Sequence, residues 1–175
     1  HSTGVNGEVV TVSADFQLAI TAESETSAPA NNNNSIIGLA VKTSPTWTPP
    51  WPNGDESSPI SVVTICRDTD GLIALRHPGS PWITVPSTDN TAIGLPSGGL
   101  VAATSGWFNI QMELVDDGSQ WTWTATLSTN GTAVITVPTR TLDTGLFPSG
   151  ATLYGAIHTG HNETGLTNET KGAIS

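Results

Sequence analysis

Apolar and polar residues alternate along most of this chain. In "EVVTVSADFQLAITAE", Val10, Val12, Ala14, Phe16, Leu18, Ile20 and Ala22 share one parity, and Thr11, Ser13, Asp15, Gln17, Thr21 and Glu23 take the other. Successive side chains of an extended backbone point to opposite faces, so this segment predicts a long antiparallel strand with one wet side. The same rhythm predicts strands over 35–44, 60–69, 72–77, 82–86, 106–116, 121–129, 133–142 and 152–159. No window carries a helical stripe. Turn chemistry separates the segments, as in "APANNNNS", "DTDG", "HPGSP", "LPSGG", "DDGSQ" and "FPSG". Many strands punctuated in this way predict an all-β, antiparallel sandwich or barrel.

Asn130-Gly131 is the clearest turn signal. A two-residue type I′ loop there would pair Thr129 with Thr132. A three-residue loop would instead set Leu127 opposite Ile135 and Ala125 opposite Val137. The second register is preferred because apolar partners then meet on one face. Trp121 and Trp123 share the parity of Leu127 and are expected at the core, where an indole N–H needs a partner.

Length predicts a single domain over 1–175. The chain starts at His1 rather than Met and stops at "KGAIS", which reads as a strand cut short. More chain is therefore expected to follow. Fifteen acidic residues against five basic ones give a net charge of -10. That charge repels phosphate backbones and acidic lipid, so neither nucleic acid nor an anionic membrane surface is an expected partner. No apolar run is long enough for a membrane-spanning helix, so no membrane insertion is expected. Cys66 is the one cysteine, so no disulfide forms within the chain. Its place in "ISVVTICRD" reads as a small buried hydrophobe.

The strand "GWFNIQMELVDDG" aligns Trp107, Asn109, Gln111 and Glu113 on one face. An aromatic plane beside amides and a carboxylate suits a sugar, because Trp stacks on the ring and the polar groups bond its hydroxyls. The competing reading is the solvated side of a sheet. Trp47 and Trp51 lie among Pro45, Pro49, Pro50 and Pro52. Proline-stiffened loops present aromatics at low entropic cost, so these two are candidate rim contacts, or they fold down over a sheet end. Asp68 and Asp70 in "RDTDG" have the spacing of a partial calcium loop. Calcium wants six to eight oxygens, so turn capping is the stronger reading for them, as for Asp116 and Asp117. An N-terminal His1 could chelate copper through its amine and ring, with His77, His158 or His161 completing a brace; a cleavage remnant is the alternative. His158 and His161 stand three apart and would need a turn at Gly160 to act together. Asn33, Asn130, Asn162 and Asn168 head glycosylation sequons. With about a quarter of the chain Ser or Thr, that number arises by chance.

The succession "FQLAITA", "SIIGLAVKT", "SVVTICRDTDGLIALRH" and "GWFNIQMELVDDGSQWTWTATLSTNG" resembles the concanavalin A-like (laminin G-like) jelly-roll domains of extracellular proteins. The likeness spans about residues 8 to 160 and lies in the strand pattern. It implies a two-sheet antiparallel β-sandwich with a concave face that often binds glycans. The E-x-D-x-E signature of the concanavalin-like glucanases is absent, as are the Arg-rich and Tyr/His motifs of sandwich-fold lyases. Three functional expectations follow, in this order. The first is an extracellular, non-catalytic carbohydrate-recognition module with no cofactor other than an optional calcium ion. The second is a self-associating structural or adhesive subunit of a filament or surface layer. The third is a polysaccharide-active hydrolase, lyase or copper oxygenase.

Overall fold

The computed structural model describes residues 2–3, 7–20, 34–43, 60–67, 72–77, 83–97, 103–161 and 171–174. The strands are β1 (Ser2–Thr3), β2 (Val9–Ile20), β3 (Asn34–Lys42), β4 (Ile60–Arg67), β5 (Leu72–His77) and β6 (Ile83–Asp89). They continue with β7 (Ala103–Thr104), β8 (Phe108–Asp116), β9 (Trp121–Thr129), β10 (Thr132–Thr141), β11 (Thr152–His161) and β12 (Lys171–Ile174). The described residues contain no α-helix, only a short 3-10 turn at Asn90–Ile93. Each segment expected to be extended contains a strand among its described residues, and Lys171–Ile174 of the "KGAIS" fragment form β12. Strands β1 and β7 are two residues long, too short for any period to show.

All pairings among the described residues are antiparallel. One set runs in the order β1-β11-β3-β4-β5-β6 and the other in the order β10-β9-β8-β2-β12, with β7 also on β2. One apolar cluster joins residues from both sets. It includes Phe16 and Leu18 of β2, Leu39 and Val41 of β3, Ile73 and Leu75 of β5, and Phe108, Ile110, Met112 and Leu114 of β8. Trp121, Trp123, Ala125 and Leu127 of β9 complete its broad face. The Trp121 indole N–H donates to the Pro148 carbonyl at 3.1 Å, so this large ring is buried with its one polar group satisfied. Alternation produced this core: each β8 residue at one parity is buried while its sequence neighbours are wet or half-buried.

The β9–β10 hairpin corrects the expected loop. Thr129 pairs with Thr132 across a two-residue turn, and Asn130 and Gly131 sit at φ 50° and 75°. Positive φ at both central residues is the type I′ requirement. The apolar register is nevertheless kept, because an irregularity between Ala133 and Ile135 restores Leu127↔Ile135 and Ala125↔Val137. One extra residue in a strand shifts its parity, so the local turn preference and the buried face are both satisfied.

Among the described residues, Asp116 is the buried charged side chain, with 0% of its surface exposed. Its carboxylate accepts from Gly118 N–H at 2.9 Å, Gly150 N–H at 2.7 Å and the Ser149 hydroxyl at 2.8 and 3.0 Å. Burial pushes this carboxyl up, but the N–H groups of Gly150 and Gly118 and the Ser149 hydroxyl together hold it below the ordinary carboxylate value. Asp117 is the turn cap proper. Its Oδ1 accepts from the Ser119 hydroxyl, Ser119 N–H and Gln120 N–H, which lower its pKa to about 2. Turn capping therefore describes Asp117, whereas Asp116 also ties the end of β8 to the loop that leads into β11.

Candidate functional site

The candidate face is the wet side of β8 and its neighbours. Register places Asp15, Asn109 and Ser128 on one rung, Ser13, Gln111 and Thr126 on the next, and Thr11, Glu113 and Thr124 on a third. Thr136 of β10 extends the middle rung beyond Thr126. Three strands thus present a continuous field of hydroxyl, amide and carboxylate groups. Val9, Val115 and Thr122 form the last rung, where the face turns apolar.

Not all of these groups are free to meet a ligand. The Asn109 amide donates to Asp15 Oδ1 at 2.8 Å and to the Ala14 carbonyl at 3.2 Å, which locks it against β2. The Thr124 hydroxyl donates to the Val137 carbonyl at 2.7 Å. Gln111 is exposed and Glu113 half-buried, and among the described residues neither side chain is tied to another group. Together with the hydroxyls of Ser13 and Thr126 on the middle rung, those two are polar contacts the face can offer.

Trp107 stands one step before β8 with 47% of its surface exposed. An exposed indole is useful to a ligand only if its backbone is held still, and here it is. Ser105 N–H donates to the Leu18 carbonyl at 2.8 Å, and the Ser105 hydroxyl accepts from Leu18 N–H at 2.9 Å. That hydroxyl donates in turn to the Gly106 carbonyl at 2.7 Å, and the Gln17 amide donates to the Ser105 carbonyl at 3.1 Å. Gly106 N–H donates to the Ile93 carbonyl at 2.7 Å. Gly94 lies against this mount at φ 80°, where a Cβ would stand 3.1 Å from Gly106 N. Alternation along one strand does not mark Ser105, Gly106, Gly94 and Gln17 as contributors, because their contacts join separate segments, the Ser105–Leu18 bond spanning 87 residues of sequence. The small "SG" pair ahead of Trp107 was the one local hint.

The remaining candidates divide by position. Asn130 lies exposed at the tip of the β9–β10 hairpin. His158 and His161 belong to β11, whose backbone is extended through Gly160 and pairs that residue with Ile36. His1, Trp47, Trp51, Asp68, Asp70, Asn33, Asn162 and Asn168 lie outside the described residues. Among the described residues no group of three or more His, Cys, Asp or Glu side chains could hold a metal ion. No helix among them is long and apolar enough to cross a membrane.

The carboxylates of the face are poorly placed for sugar hydrolysis. Asp15 sits opposite Asn109, four residues along from Glu113. At about 3.4 Å per residue the two strand positions are ~14 Å apart. Two-carboxylate hydrolysis works at separations of about 5 to 9.5 Å. The arrangement can stack and hydrogen-bond a ligand, and among the described residues of this face its two carboxylates stand on widely separated rungs. No protein-family model, curated protein or solved structure matches the chain.

Proposed function

We propose that this chain is an extracellular, non-catalytic carbohydrate-recognition module, built as a concanavalin A-like jelly-roll sandwich from its two antiparallel strand sets. The observation that carries this reading is the fixed, half-exposed Trp107 at the head of a polar ladder whose Gln111 and Glu113 are unengaged among the described residues. From Trp107 to Glu113 the ladder runs about 20 Å, long enough for several sugar rings in a row rather than one. Trp107 supplies the stacking plane, and Gln111 and Glu113 supply hydroxyl partners further along. The hydroxyls of Ser13 and Thr126 flank Gln111 and widen the polar track.

A glycan array followed by calorimetric titration tests the reading. The wild-type chain binds a soluble oligosaccharide, and Trp107→Ala weakens that binding about tenfold or more while the melting temperature stays put. An array that stays silent across neutral and charged glycans, or a Trp107→Ala chain that binds as well as wild type, overturns it.

A further inference from the structure

The pair Asn-Gly occurs three times in the chain, at Asn6-Gly7, Asn53-Gly54 and Asn130-Gly131. This dipeptide is chemically labile. The main-chain nitrogen of the second residue can attack the asparagine side-chain amide, and glycine puts no side chain in the way. Attack needs that nitrogen free and the amide unheld. Asn130 and Gly131 are both exposed at the tip of the β9–β10 hairpin. Among the described residues no hydrogen bond engages the Asn130 side chain or the Gly131 N–H, and nothing lies within 4 Å of the position a Gly131 Cβ would take. The ladder of a two-residue hairpin closes between the flanking residues, here Thr129 and Thr132, so Gly131 N–H has no ladder partner. Gly7 is held differently. Its N–H donates to the Asp116 carbonyl at 2.7 Å, just past the last rung of the β2–β8 ladder. Asn6 itself lies outside the described residues, as do Asn53 and Gly54.

We propose that Asn130 is a site of spontaneous deamidation in the folded protein, favoured over Asn6 by its free Gly131 N–H. The Gly131 nitrogen gives up its proton to solvent base and forms a bond to Cγ of Asn130. The Cγ–Nδ2 bond breaks, and the departing nitrogen takes a proton from water and leaves as ammonia. Water then opens the cyclic imide at one of its two carbonyl carbons. Opening at Cγ gives aspartate, and opening at the main-chain carbonyl gives isoaspartate. The balance is one amide and one water converted to one carboxylic acid and one ammonia. Either product adds a negative charge at the hairpin tip. Isoaspartate also adds an atom to the main chain, inside a loop of only two residues that joins Thr129 to Thr132. Asn130 heads a sequon, and an N-linked glycan would occupy the nitrogen that must leave, so the reaction belongs to the unglycosylated chain.

The test is peptide mapping by mass spectrometry on the full, unglycosylated chain, aged in mildly alkaline buffer both folded and unfolded in urea. In the folded chain Asn130 converts about fivefold or more faster than Asn6, the factor that one main-chain hydrogen bond is worth. In urea the bond from Gly7 is gone. Both asparagines follow a β-branched residue, Val5 or Thr129, so the two rates converge. The Asn130 rate rises with pH, because the Gly131 nitrogen must lose its proton, and isoaspartate appears beside aspartate. Gly131→Ala sets a methyl group next to the attacking nitrogen, slows conversion at Asn130 and leaves Asn6 unchanged. The comparison of Asn130 with Asn6 in the wild type stands even if that variant folds poorly. The proposal is overturned if Asn130 survives in the folded chain while it converts in urea, or if Asn6 keeps pace with it in the folded chain. Aspartate formed without isoaspartate, or an undiminished rate in Gly131→Ala, overturns it as well, in favour of direct hydrolysis of the side-chain amide.

Discussion

Asp116→Asn is the sharpest probe of how this fold is held at its buried charge. Oδ1 of Asp116 serves Gly118 N–H and Oδ2 serves Gly150 N–H, while the Ser149 hydroxyl bonds both. An amide in place of the carboxylate must turn its NH₂ towards one of the two glycine N–H groups. That donor loses its acceptor, and the surviving bonds lose the help of the charge. A hydrogen bond to a charged group contributes about 1.5–3 kcal/mol, and a stranded donor costs a further desolvation penalty. Gly118 and Gly150 are exposed, so water recovers part of the loss. The net expectation is about 2–3 kcal/mol at pH 7, or ~5–10 °C in melting temperature for a chain of this size. Urea unfolding followed by tryptophan fluorescence is the assay, with an unchanged m-value as the check that stability alone has moved. Buried Trp121 reports on this corner directly, because its N–H rests on the carbonyl of Pro148 beside Ser149. The pH dependence gives a second test. The folded-state pKa of Asp116 is depressed, so its contribution is fully present above its unfolded value near ~4 and is lost as pH falls through the folded value. Protonated Asp116 resembles Asn, so the gap between wild type and variant closes in acid. A loss under ~0.5 kcal/mol at pH 7, or a gap that stays constant as pH falls, refutes the reasoning.

Three other substitutions test separate parts of the structure. Asn90 is fully buried, and among the described residues neither its amide nitrogen nor its oxygen has a hydrogen-bond partner, so Asn90→Leu should be neutral or stabilise by up to ~2 kcal/mol, read as a rise in melting temperature. Gly131→Ala should cost about 1 kcal/mol in a denaturant titration, since φ is 75° but nothing lies within 4 Å of the added carbon. Gly94→Ala should cost more, about 2–3 kcal/mol by the same measurement, because the positive φ is joined by a 3.1 Å approach to a backbone nitrogen. Equal costs at Gly94 and Gly131 would show that the mount beneath Trp107 yields.

What the sequence by itself determined was partition. A two-residue period is a local property, and each strand sorts its own side chains without knowing its neighbours. Phe16, Ile110 and Leu127 were therefore readable as core, and Asn109, Gln111 and Glu113 as the wet side of their strand. Turn chemistry was equally local, and Asn130-Gly131 made the turn that its residue types favour. Tertiary structure decided what sits beside what. Asp116 and Asp117 are adjacent and identical in type, yet only the chain passing 33 residues later, at Ser149, separates the buried anchor from the surface cap. The same holds for the bulge that reconciles the β9–β10 turn with its apolar register, and for the bond from Leu18 to Ser105 that steadies Trp107. Each depends on contacts between segments distant along the chain, and alternation repeats identically in every strand, so it carries no address for its partner.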